Sequence, residues 1–307
     1  MRIGIIGIGG IGGYYGGKLA LKYAGSGEHE IIFFARGEHL AAIRKNGLKL
    51  ITVEGEYTVR PTLATDKPAE MGVLDLALFC TKSYGLEDAA RAIAGNLRDG
   101  SVVLPLLNGV DITDRLKSIL PRGAVLYGGV FISSAIQGAG VVKQVAGTGQ
   151  LFFGPANKAD VEKYRQIEAL LQGAGIKAEL SADALLPLWT KYIFIGPMAG
   201  VTSLSGKAFG EVLGDAESRA MVEGMMKEVE AVARRKGVNF PPDIVQASIG
   251  KAAAFAPTTK TSMQLDYERG NKTELDIFIA YIVQAGKELG IPVPLHEKVY
   301  AELKKKG

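Results

Sequence analysis

One cysteine, Cys80, stands in 307 residues. It excludes an intrachain disulfide and a cysteine-built metal site. It closes an apolar run, where a buried, inert thiol is expected. Histidine is almost as scarce. His29, His39 and His296 are scattered without ligand spacing, so no metal site is expected. No apolar run approaches the roughly 18 residues of a membrane span. The first residues are apolar but glycine-interrupted and lack a small-residue cleavage site, so a cytoplasmic protein is expected. The net charge of +4 is spread along the chain, which gives no reason to expect nucleic acid or a membrane as partner. Lys304 to Lys306 form the one basic cluster and read as a solvated helix end. Internal repeats and low-complexity linkers are absent too. What remains, 47% hydrophobic and 22% charged residues, is ordinary for a soluble globular chain long enough for two domains.

Glycine, by contrast, is abundant, with 40 residues, many near the N-terminus. Residues 3–6 predict a short buried strand and 11–23 a helix, with Gly7, Ile8, Gly9, Gly10, Ile11 and Gly12 at the junction. Gly7, Gly9 and Gly12 fit GxGxxG. The first glycine serves the tight turn, the second the approach of a pyrophosphate, the third close helix–strand packing. A helix N-terminus then faces the phosphates. The plain alternative is a glycine-rich turn without a ligand. A P-loop is rejected, because Leu19 follows Gly17-Lys18 where Ser or Thr is needed for Mg²⁺. A second buried strand, residues 31–34, runs into Ala35-Arg36-Gly37. Dinucleotide sites for NAD place a carboxylate here for the ribose 2′-hydroxyl. A guanidinium instead suits a 2′-phosphate, so Arg36 points to NADPH over NADH. Its plain alternative is a solvated loop residue.

The rest of the first half alternates. A helix is expected over 37–46, a hairpin over 48–53 and 57–61, and central parallel strands over 74–80 and 102–107. Lys82 and Asn108 stand just past the carboxyl ends of those two strands, where ligands of open α/β sheets bind; a surface lysine and an Asn-Gly turn are the plain readings. Residues 125–153 suggest short antiparallel strands, 159–173 a helix and 176–179 a strand. From residue 184 the period is helical. Lys191 shares an apolar face with Leu188, Phe194 and Ile195, so it either snorkels or acts as a positioned acid. Pro197, between Gly196 and Gly200, should bend or interrupt that helix. Helices are also expected over 217–236, from Pro241-Pro242 onward, and over 276–289 and 295–305. Ser262 and Asp266 share one helix face. Glu274 opens the next helix, where Asn271 and Glu274 resemble a capping box. The fold class is therefore α/β, a Rossmann-like doubly wound sheet over residues 1–180, followed by an all-helical domain over 181–307.

GIGGIGG at the start, Arg36, Thr81-Lys82-Ser83, Asn108-Gly109, Trp189-Thr190-Lys191 and TSMQLDYERGNKTELD at 261–276 together resemble the ketopantoate reductase family (2-dehydropantoate 2-reductase). The last motif is the most specific, and the resemblance covers almost the whole chain. It implies NADPH-dependent reduction of a small 2-keto acid, first of all 2-dehydropantoate to pantoate in pantothenate biosynthesis. Position by position it implies Lys191 as the general acid and Glu274 as its partner and a substrate contact. It places Lys82 and Asn108 along cofactor and substrate, Ser262 on the substrate, and Asp266 in the motif without a fixed role. The family often carries asparagines four and eight residues after that lysine. Here Ile195 and Ala199 stand there, so a more apolar 2-keto acid is the alternative substrate. The same layout would also suit another NADP-dependent hydroxyacid or polyol-phosphate dehydrogenase, or a non-catalytic NADPH sensor. The oligomeric state stays open, a homodimer included.

Overall fold

The computed structural model describes residues 1–306, and its chain divides into two compact units. The first comprises Met1–Leu107 and Ile112–Ala184, the second Asn108–Asp111 and Leu185–Gly307. In chain order the first unit runs β1 (Arg2–Ile6), α1 (Gly10–Tyr23), β2 (Glu30–Phe34), α2 (Gly37–Asn46), β3 (Leu48–Thr52), β4 (Gly55–Val59) and β5 (Leu63–Thr65). It continues with β6 (Leu76–Phe79), α3 (Leu86–Ile93), β7 (Val102–Pro105), α4 (Ile112–Ile119), β8 (Ala124–Val125), β9 (Tyr127–Gly138), β10 (Val141–Gly154), α5 (Arg165–Gly173) and β11 (Lys177–Leu180). Six strands form a wholly parallel sheet in the order β5-β2-β1-β6-β7-β8. The order reverses direction at β1, the doubly wound arrangement in which ligands bind beyond the carboxyl ends of the strands. β1, β2 and β6 carry almost unbroken apolar runs because both their faces are covered.

A second sheet, β11-β10-β3-β4 with β9 paired to β10, is a finding beyond the sequence pattern. The 48–59 hairpin forms as expected but belongs to this sheet, not to the first. The long β9–β10 hairpin is antiparallel as expected, with three register shifts, whereas β8 joins β7 in parallel. Short local pairs do not reveal which of two sheets a strand will join, because that choice is made by long-range contacts.

α1 lies between the two sheets, and this explains its glycines. A Cβ on Gly16 would crowd Ile5 and Phe33 of the first sheet, at 3.0 Å from each. One on Gly17 would come within 2.9 Å of Leu50, and one on Gly13 within 2.5 Å of Val142, in the second sheet. The glycine surplus near the N-terminus is thus partly a packing device for a helix pressed from both sides, and only partly a matter of approach by a ligand. Lys18, buried on the same helix, donates to Glu54 Oε2 at 2.7 Å and to the Gly175 carbonyl at 3.1 Å, a structural role. Cys80 is buried, and burial pushes its thiol up, away from reactivity.

The second unit is helical: α6 (Leu185–Ser205), α7 (Phe209–Gly214), α8 (Ala216–Arg235), α9 (Ile244–Ala253), α10 (Ser262–Glu268), a π-helical turn Asp276–Ala280, α11 (Tyr281–Leu289) and α12 (Pro294–Lys306). α6 packs against α7, α8, α9, α10, α12 and the π-turn, so an all-round apolar sequence is what its position requires. It runs unbroken through Pro197, because Gly196, Pro197 and Met198 are buried on all sides and that packing outweighs the local preference of proline. Glu228 on α8 accepts from the backbone N–H groups of Leu295 and His296 at 2.8 and 3.0 Å and pairs with His296 Nδ1 at 2.6 Å, fixing the start of α12. Among the described residues no helix is long and apolar enough to cross a membrane.

The two glycines of the β1–α1 turn should separate experimentally. A Cβ at Gly12 would run into the Gly7 carbonyl, whereas one at Gly9 meets nothing within 4 Å. Gly12→Ala is expected to lower stability by about 2–3 kcal/mol in urea titration, and Gly9→Ala by about 1 kcal/mol or less.

Candidate functional site

The β1–α1 turn has the geometry the glycine spacing requires. Gly7 sits at φ +94°, which only glycine adopts readily, and a Cβ there would meet Thr81. Gly9 is the N-cap of α1 and opens onto free space; Gly10 lies against the Ser134 carbonyl, and Gly12 against Gly7 and Cys80. Gly10, Ile11 and Gly12 form the first turn of the helix, whose free N–H groups and positive dipole end suit an anion. Two buried hydroxyl oxygens close to this turn, Thr81 Oγ1 and Ser134 Oγ, have no hydrogen-bond partner among the described residues. Buried orphans of this kind call for a ligand or water, and a helix N-terminus with an open glycine fits the pyrophosphate of a dinucleotide. Sequence patterning does not single out Ser134, because the β9–β10 strands that bring it to Gly10 are far away in the chain.

Arg36 follows β2 directly and caps α2. It is exposed, and its guanidinium lies 6.0 Å from the Phe34 ring centroid. It makes no ion pair among the described residues. Lys82 follows β6, exposed, at the N-cap of the short turn Ser83–Gly85. Asn108 follows β7, and Gly109 after it takes φ +105°, turning the chain so that Asn108–Asp111 group with the second unit.

There Asn108 meets Lys191. The Lys191 Nζ donates to Asn108 Oδ1 at 2.8 Å. Lys191 lies in the second turn of α6, and its ammonium is lowered to about 8, by desolvation first and by the nearby Lys251 charge second, against the raising effect of Glu274. The three groups therefore form one electrostatic set. Glu274 is 5% exposed, in the segment leading to the π-turn. The Tyr192 hydroxyl, one residue after Lys191, lies 2.8 Å from the Ile277 carbonyl and 3.0 Å from the Phe278 carbonyl, donating to that pair and tying the π-turn to α6. A π-turn re-aims the residues around it and is common at functional sites. The capping box expected at Asn271 and Glu274 does not form: helical structure starts only at Leu275, with the Phe278 N–H donating to the Glu274 carbonyl at 3.3 Å, and the Asn271 amide donates to Asp266 instead. Glu274 is buried where its charge acts on the Lys191 ammonium.

Ser262 is exposed at the first position of α10, after Thr261, whose hydroxyl caps the helix by accepting from the Gln264 N–H at 3.2 Å. Asp266 lies one turn on, bound to Asn271. Ile195 and Ala199 follow Lys191 on the same side of α6; Ile195 is half-buried and Ala199 fully buried. Lys251, on α9, escapes periodicity arguments, although it is the one charged residue of that helix. Among the described residues no group of three or more His, Cys, Asp or Glu is placed to hold a metal ion. The half-buried ammonium of Lys191 is a group able to donate a proton and to hydrogen-bond an oxyanion.

The charges around Lys191 predict their own titration. Glu274→Gln removes the anion that favours the charged amine, so the Lys191 midpoint should fall below its value of about 8. Nitrogen NMR of the lysine side chains reads this directly; an unchanged midpoint would separate Glu274 from the set.

The comparisons agree with this layout. The family model described as ketopantoate reductase PanE/ApbA matches residues 3–158, and the model of the C-terminal part of the same family matches residues 183–307. An uncharacterized oxidoreductase of Bacillus subtilis, YkpB, is 28% identical over 303 residues, covering 99% of this chain and 98% of that protein. A 2-dehydropantoate 2-reductase of Nostoc sp. is 27% identical over 307 residues, covering 99% of this chain and 94% of its own. A crystal structure of a PanE/ApbA family ketopantoate reductase from Ralstonia eutropha JMP134 superposes with a TM-score of 0.90 at 32% identity, covering 100% of this chain and 98% of that one. Two family models that between them span both units, with relatives aligned nearly end to end, establish that this chain belongs to the ketopantoate reductase family of oxidoreductases.

Proposed function

We propose that the chain reduces a small 2-keto acid to the 2-hydroxy acid with NADPH, and that 2-dehydropantoate, giving pantoate for pantothenate biosynthesis, is the first substrate to try. One observation carries the proposal: the half-buried ammonium of Lys191, hydrogen-bonded to Asn108, on which the Glu274 charge acts to favour the protonated form. NADPH, when bound, supplies the hydride. The side chains do the rest. As hydride adds to the keto carbon, the C=O bond becomes an alkoxide, and the Lys191 ammonium stabilises that charge and gives it a proton. Lys191 is left as a neutral amine and regains its proton from solvent. Asn108 Oδ1, accepting from Nζ, fixes the direction in which the remaining N–H groups point. Glu274 opposes the loss of charge that burial favours.

The glycine turn with Ile8 and Ile11, together with Arg36, Lys82 and Asn108, is assigned to the cofactor, with Arg36 taking the 2′-phosphate. Lys82, Asn108, Ser262 and Glu274 are assigned to the substrate. Residues 1–180 would then serve the dinucleotide and 181–307 the substrate, with Lys82 and Asn108 reaching both. Ile195 and Ala199 favour a second reading of the same chemistry, a more apolar 2-keto acid, because an aliphatic wall offers no hydrogen bonds to a hydroxylated substrate.

NADPH oxidation against a panel of 2-keto acids tests the proposal. Lys191→Met should lower kcat by roughly 10²- to 10⁴-fold while NADPH still binds; near-normal turnover refutes the acid role. The protonated amine is the acid, so turnover in the reducing direction should fall as pH rises through about 8. Oxidation of the hydroxy acid, which needs the neutral amine, should gain over the same range. Arg36→Ala should weaken NADPH far more than NADH; equal losses would remove the 2′-phosphate assignment.

A further inference from the structure

We propose that Phe255 is the residue that selects the substrate's side chain, a ring face on which the aryl group of an aryl-bearing 2-keto acid packs while its keto oxygen meets Lys191. This rests on the reductase reading above and names the substrate class and the residue that chooses it. Three observations lead to it. The first is a large apolar ring held outside the core. Phe255 is 43% exposed, whereas Phe194 and Phe209, the two rings it leans on, are 5% and 2% exposed. It stacks on Phe194 at 5.5 Å with planes 20° apart and meets Phe209 at 5.6 Å, tilted by 57°. Aromatic partners answer one part of the ring, and the described residues leave the remainder uncovered. Single exposed apolar residues are commonplace; what sets this one apart is how and where it is held.

The second observation is the clamp on its segment. Phe255 stands just past the end of α9, where its N–H donates to the Ala252 carbonyl at 3.2 Å. A little further on, the Gly210 N–H donates to the Pro257 carbonyl at 2.9 Å and the Phe209 N–H to the Thr259 carbonyl at 3.0 Å. Those two bonds tie the segment to the start of α7. The approach is close, since a Cβ on Gly210 would come within 2.6 Å of Pro257. A ring fixed in this way loses little freedom when a ligand lies on it, so little of the contact's free energy goes into ordering it.

The third is the place. Phe194 stands three residues after Lys191 on α6, about one helical turn along. Lys251 links the same two residues from α9: its ammonium lies 5.5 Å from the Phe194 ring centroid, and its charge acts on Lys191. The Phe194–Phe255 stack therefore begins beside the proton donor. Its surroundings are apolar. Residues 252–257 read Ala-Ala-Ala-Phe-Ala-Pro, without one polar side-chain atom, and Ile195 is half-buried next to Phe194 in the chain. These side chains offer a hydroxylated substrate no hydrogen bond, whereas a third ring can extend the stack in the offset or edge-on arrangement that aromatic pairs prefer.

The test uses the full chain with NADPH and compares kcat/KM for pyruvate with that for benzoylformate and phenylpyruvate, which place a ring at two distances from the keto carbon. The wild-type chain should prefer at least one aryl acid to pyruvate. Phe255→Ala should shrink that preference roughly 10- to 100-fold, mainly through KM, because the proton donor is untouched. Phe255→Leu, which keeps apolar area without a ring, should fall between, and Phe255→Tyr should retain most of the preference. No aryl preference in the wild-type chain overturns the inference and leaves the reductase reading standing. So does a preference unchanged in Phe255→Ala, or aryl acids and pyruvate falling together in the alanine and leucine variants alike. A change in sedimentation of Phe255→Ala with the preference intact gives the ring to a second copy of the chain and overturns the inference too. If the wild-type chain reduces no 2-keto acid at all, the reductase reading itself fails and this inference falls with it.

Discussion

An ammonium group placed on a helix that is packed on nearly every side sets the terms for the second unit. Lys191 cannot be hydrated like a surface lysine, so its charge must be answered by groups brought from elsewhere in the chain. Asn108 arrives on the turn after β7, and Glu274 on the segment before the π-turn. Both depend on α6 being a fixed reference. Its neighbours α7, α8, α9, α10 and α12 supply that rigidity, and Tyr192 passes it to the π-turn through the Ile277 and Phe278 carbonyls. A site held within tenths of an ångström needs such locked supports.

The first unit meets a different constraint, that of a helix with no free face. α1 has to start at an open, glycine-lined turn while touching one sheet with Gly16 and the other with Gly13 and Gly17. Small residues solve both problems in one short segment. That is why the GxGxxG spacing understates what the glycines do there. Only Gly9 opens onto space a ligand can enter; Gly10 and Gly12 approach backbone, and Gly7 supplies the positive φ. Beside that turn the buried hydroxyl oxygens of Thr81 and Ser134 have no hydrogen-bond partner among the described residues.

Much of this is legible in the chain's local patterns, and particular residues show why. The strand at Ile3 to Ile6, the turn at Gly7 and the helix up to Tyr23 are local, and local preferences agree with the global fold there. The alternation of apolar strands with helices marks a doubly wound sheet, and the TSMQLDYERGNKTELD stretch marks the family. Pro197 does not interrupt its helix, because its preference to do so is weaker than the burial around it. The Asn271–Glu274 spacing misleads, since two residues at a capping interval form a box only if a helix starts between them. Lys251 gives only a faint signal, one charge in a short helix of small and apolar residues.

Sequence by itself determined most of the elements, the glycine turn, the lysine on the apolar face of a helix and the family, because each is written in spacings of fewer than about twenty residues. Tertiary structure alone decided that strands from residues 48 to 59 join those from 127 to 180 in a second sheet, and that Asn108 meets Lys191 eighty-three positions away. It also decided that Glu274 and Lys251 act on one amine with opposite sign. Those outcomes depend on which surfaces are buried together, and burial is a property of the whole packed chain that no local pattern encodes.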